Sequence, residues 1–131
     1  MKKTVLGLSL FAVLLVTSCS GTSGGGVSTP SEIRGTWVYT GSYTETITVN
    51  SDTVSITDAG FVNGTGKLAV KDVDAANGHL LCSMASTTGD WTIIPAGTTY
   101  YVTYILSGTT AQIGYSVAAY PVSPSNSYTK Q

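Results

Sequence analysis

From about residue 32 onward, apolar and polar positions alternate with a period of two, and no segment carries the 3.6-residue spacing of an amphipathic helix. The alternating segments are rich in Thr, Val, Ile and Tyr and are broken by Gly, Asn and Asp, the composition of half-buried strands and their turns. Thr36 to Thr40 reads as a first strand with Trp37 and Tyr39 on one face. Tyr43 to Val49 places Tyr43, Ile47 and Val49 on one face and Thr44, Thr46 and Thr48 on the other. Asn50-Ser51-Asp52 is turn chemistry, and Thr53 to Thr57 returns with Val54 and Ile56 inward.

After a broken, glycine-rich passage from Gly60 to Gly66, Lys67 to Val73 forms a strand with Leu68 and Val70 facing one way. Asp74 to Gly78 supplies a turn ending in Asn-Gly, and His79 to Ser86 alternates Leu80, Cys82 and Met84 against His79, Leu81 and Ser83. Trp91 to Ile94 is expected as a short strand stopped by Pro95. Tyr100 to Leu106 is the longest apolar strand, and Ala111 to Val117 follows the Ser107-Gly108 turn. The Pro/Ser-containing stretch 121–131 is expected to be a loose tail. About eight strands on short connections favour antiparallel neighbours. The expected fold class is therefore all-β: a small up-and-down barrel over residues 32–120, which removes exposed sheet edges, with a two-sheet sandwich as the alternative.

The first nineteen residues follow a different pattern. Lys2 and Lys3 precede an apolar run from Val5 to Val16, which is too short to cross a bilayer and reads as the core of a secretory signal. The run ends in Val16-Thr17-Ser18-Cys19, which resembles the cleavage box of bacterial lipoproteins. That resemblance implies a signal over 1–18, lipidation of Cys19 and attachment to a membrane; several acyl chains give firm anchoring at about 0.8 kcal/mol per buried methylene. Ser20 after the cysteine, where aspartate would imply inner-membrane retention, implies the outer membrane. Residues 19–31 are then the lipidated cysteine and a Gly/Ser-rich flexible tether, about 20 Å long as a random coil.

Composition narrows the function classes. Only 10% of the residues are charged, and the pI is about 5.6. Without the signal, four basic residues face seven acidic ones, a net charge of −3. A nucleic-acid partner would need the opposite balance. One His and two Cys are too few for a zinc centre, and no cofactor is expected. A Ser-His-Asp arrangement would have to use His79 with Asp72 or Asp74. All three lie around one turn, and no serine stands in a Gly-x-Ser-x-Gly elbow, so the expectation is not an enzyme. Asp72, Asp74 and Asn77 read as turn residues, Cys82 as a buried thiol and Tyr100, Tyr101 and Tyr104 as packing aromatics.

Ile33-Arg34-Gly35-Thr36-Trp37, at the start of the first strand, resembles the Gly-x-Trp opening of lipocalin-like (calycin) barrels, including those of bacterial lipoproteins. The resemblance implies an eight-stranded barrel whose interior holds a small apolar ligand, and the expected lining is Trp37, Tyr39, Ile47, Val54, Leu68, Leu80, Met84, Trp91, Val102, Tyr104, Ile113 and Tyr115. The family's late arginine, which packs over the Trp, has no counterpart here, Arg34 being the one arginine, and the family's C-terminal helix is missing. The expected protein is thus a monomeric, envelope-anchored binding module. The alternative is a cavity-free head that meets an envelope protein or inhibits an exported enzyme.

Overall fold

The computed structural model describes residues 27–60 and 62–131. The expected signal, Cys19 and the first part of the expected tether lie outside them. Among the described residues eight strands run β1 (Gly35–Thr40), β2 (Thr44–Val49), β3 (Thr53–Ala59), β4 (Gly64–Asp74), β5 (His79–Gly89), β6 (Thr99–Ser107), β7 (Thr110–Ser116) and β8 (Ser127–Lys130). Each pairs antiparallel with the next, and β8 pairs with β1, which closes the barrel and excludes the sandwich.

The alternation read from the sequence is the alternation of the wall. Ile47 faces Ile56 and Val49 faces Val54 across β2 and β3, and all four are buried. Leu68, Leu80, Cys82, Met84, Val102 and Ile113 fill the interior from the remaining strands. An eight-stranded barrel is just wide enough for side chains to do this.

Two expectations fail at the chain's ends. The stretch 121–131 is not loose: Ser127–Lys130 is β8, held between β1 and β7, and Tyr128 is 1% exposed. Prolines at 121 and 124 sit in the loop before it, and burial of the Tyr128 ring outweighs the local turn signals. The tether does not run to Ser31 as a free segment either. Thr29 is buried, its N–H donates to Ser51 O at 2.7 Å and its hydroxyl to Asn50 O at 2.6 Å. A third difference concerns Trp91. Asp90–Ile93 is a turn of 3-10 helix rather than a strand. Gly89 enters it at φ 61°, a conformation that favours glycine and ends β5, so the residues after it cannot continue the ladder.

The barrel has two unlike ends. At the base, where β1 begins and the 50–52, 75–78 and 108–109 turns lie, Ile33 is buried as a plug. Trp37 donates its indole N–H to Ile33 O at 2.7 Å, and Arg34 Nε donates to Thr29 O at 3.1 Å. Lys130 on β8 carries its ammonium 5.2 Å from the centre of the Trp37 ring. A lysine on the last strand therefore lies over this tryptophan, although the sequence offers no late arginine. At the other end, the mouth, the β1–β2 turn, Gly60, Val62 and Asn63, the segment 90–98 and the long β7–β8 loop surround an opening.

Candidate functional site

Each of β2 and β3 contributes three inward residues. The rungs nearest the base are Val49–Val54 and Ile47–Ile56; the next rung up is Glu45–Asp58. Two carboxylates thus occupy the position where alternation demands an inward side chain, directly opposite each other. Glu45 is 2% exposed and Asp58 8%. Like charges on facing positions repel, and a buried carboxylate loses its hydration, so the pair persists only with donors around it.

The donors come from three other elements. Tyr115 on β7 donates its hydroxyl to Glu45 Oε2 at 2.7 Å, and Tyr128 on β8 donates to Glu45 Oε1. Trp91, on the 3-10 turn, donates its indole N–H to Asp58 Oδ2 at 3.1 Å. Asp58 Oδ1 is buried with no protein donor. Burial raises the Asp58 pKa to about 7; the hydrogen bond and charge of Glu45 push the same way, and the Trp91 N–H opposes them. Near neutrality the pair therefore holds a proton part of the time, and that proton offsets the repulsion of the rung. Burial first, then the Glu45 charge, raises the Tyr115 phenol; burial and its bond to Glu45 raise that of Tyr128. Both hydroxyls stay protonated donors.

Above this rung lies a cavity of about 450 Å³, open at the mouth. Its polar floor includes Glu45 and Asp58. Its walls are aromatic and aliphatic: Tyr43, Trp91, Tyr100, Tyr115, Val62, Ile93 and Ile94. The rings of Trp91, Tyr100 and Tyr115 form a triangle, with centroids 6.2–6.5 Å apart. A second cavity of about 250 Å³ adjoins it on the other side of Glu45, under the β7–β8 loop. Asn126 ties that loop to the mouth by donating to the Tyr43 hydroxyl at 2.9 Å.

Of the lining expected from the sequence, Trp91 and Tyr115 border the larger cavity, and Ile113 with Tyr115 the smaller. The other nine border neither. Trp37, Ile47, Val54, Leu68, Leu80, Met84, Val102 and Tyr104 are packed into the core, and Tyr39 lies tilted between Tyr43 and Tyr128. The cavity is a cup at one end, not a bore through the barrel. The residues that the sequence reading passed over are Glu45 and Asp58. Their signal was positional: each interrupts an otherwise apolar inward series on its strand.

The remaining groups singled out from sequence are elsewhere. Asp74 accepts from the backbone and side-chain amides of Asn77, as a turn residue does. His79 lies flat on Tyr120, with centroids 3.9 Å apart, and Tyr101 meets the edge of the same ring. Tyr100 and Tyr104 point inward and are buried, so the three tyrosines of β6 do not form one cluster. Cys82 is 1% exposed. No three metal-ligating side chains converge among the described residues. No family model, no curated protein and no solved structure matches the chain.

Proposed function

We propose that this is an exported lipoprotein, anchored through Cys19, whose barrel binds a small, mainly apolar ligand in the cup at its mouth. One observation carries the binding half: a cavity of about 450 Å³ with aromatic walls and a few convergent polar groups, the usual make-up of a small-molecule site. The basic start, apolar run and Val-Thr-Ser-Cys sequence support the anchoring half. The polarity of the barrel fits both. Residues 27–34 dock at the base, so an anchor upstream of them attaches at the end away from the mouth, and ligand enters from the aqueous side. The protein is a binder and carrier at the outer membrane, not a catalyst.

Two measurements test it. Growth with a palmitate analogue should label the wild-type chain and leave Cys19→Ala unlabelled and released from membranes; equal labelling of both removes the anchor. Native mass spectrometry of the chain, extracted into nanodiscs, should show a small molecule that Trp91→Ala loses. Wild-type protein that stays empty against a full cell extract removes the binding assignment.

A further inference from the structure

The cup is not the wholly apolar pocket that an uncharged hydrophobic ligand would select. Its floor is acidic, and neither Lys, Arg nor His borders it among the described residues. The titratable groups that line the cup with Asp58 are Glu45 from β2, Tyr43 before it, Tyr100 from β6, Tyr115 from β7 and Asp90 at the rim, and Tyr128 from β8 bonds Glu45 from behind. All are neutral or anionic. Glu45 has each carboxylate oxygen taken by a tyrosine hydroxyl, whereas Asp58 Oδ1 meets no tyrosine, tryptophan or backbone donor and has only the proton it shares with Glu45 to serve it. Once that proton has left, a buried carboxylate oxygen needs a donor from outside the protein. Beside it stand three mutually packed rings, whose π faces favour a cation over a neutral group.

Resting on the reading of the cup as a ligand site, we infer that its ligand carries a protonated amine, whose ammonium bonds the Glu45–Asp58 pair while its apolar body lies against Trp91, Tyr100 and Tyr115. An anionic ligand such as a free fatty acid is excluded by the same charge. The exchange balances simply. Below about pH 7 the empty pair holds one proton, which the ammonium replaces as donor to the carboxylates and which goes to water; above it the pair is already free to accept the ammonium.

Isothermal titration of the full mature chain in phosphatidylcholine nanodiscs, with empty nanodiscs as blank, tests this with three soluble probes of one shape: phenethylamine, phenethyl alcohol and 3-phenylpropionate. At pH 8 the amine should bind about tenfold tighter than the alcohol, the difference of roughly one charge-assisted hydrogen bond, and the carboxylate should not bind. At pH 6, buffers of different ionisation enthalpy should report release of about one proton per amine bound, and at pH 8 almost none. Asp58→Asn, which keeps an acceptor for Trp91, should abolish the proton release and reduce the amine-to-alcohol ratio at least threefold; should it fail to fold, the wild-type pH pair decides alone. If the alcohol binds as tightly as the amine, or the amine binds with no proton release at pH 6, the ammonium assignment is overturned and the cup stands. If none of the three binds, the cup falls with it.

Discussion

The indole of Trp91 rests on the bare backbone of Gly66. A Cβ at residue 66 would stand 2.6 Å from Cε3 of that ring and 3.2 Å from the Met84 methyl. The glycine on β4 is therefore the seat that lets a side chain from the 3-10 turn reach back over the wall and donate to Asp58. Gly66→Ala should push the ring out of the cup. It should cost about 1–3 kcal/mol of stability, as overpacking of a buried position does, and it should remove the ligand adduct expected in native mass spectrometry. A change in ligand binding without any change in Trp fluorescence would contradict this seating.

The Glu45–Asp58 rung makes stability depend on pH in an uncommon direction. The folded-state pKa of Asp58, about 7, lies above its ordinary value of 3.8. The folded state thus holds a proton that the unfolded chain has released, and the stabilisation is complete below the ordinary value and lost as pH rises through about 7. With the mouth open to water, the loss between pH 4 and pH 8 is on the order of 2 kcal/mol. Urea midpoints should fall over that range, and Asp58→Asn should flatten the profile.

The base depends on Trp37. It is completely buried, bonded to Ile33 O and covered by Lys130. Trp37→Ala should cost about 3–5 kcal/mol. Lys130→Met, which keeps the stem and removes the charge, should cost only about 0.5–1 kcal/mol. Thermal melts of the two variants should therefore separate widely; equal shifts would mean that the lysine is the main seal.

Cys82 is a core residue rather than a handle. Burial pushes its thiol up to about 12. A maleimide at pH 8 should leave it unmodified in folded protein and label it rapidly in urea, as mass spectrometry of the intact chain would show. Rapid labelling of the folded state would place β5 in a locally open form.

The wall of the barrel was legible because period two is dictated by the pleat: Ile47, Val54, Leu80 and Val102 face inward where their spacing puts them. The cup was not, for the same reason. Polar residues are assigned to the outer face by default, so Glu45 and Asp58 read as solvated until the register sets them opposite each other. Trp91 looked like a strand residue because its neighbours Ile93 and Ile94 are apolar, but Gly89 had already turned the chain. The β8 strand was hidden by its four-residue length and the prolines before it; only the empty slot between β1 and β7 gives Tyr128 a place. Thr29 was lost in a Gly/Ser-rich run because a single docked side chain leaves no periodic trace.

The strand that completes the cylinder is the last of the eight described strands, and it joins the first of them. Until Ser127–Lys130 takes its place, β1 and β7 each present an unpaired edge. The earliest strand made must wait for one some ninety residues later, a pairing of high contact order and hence slow to form. Closure is therefore a late event in the life of this molecule, and the tyrosine that completes the bonding of Glu45 arrives with the latch itself.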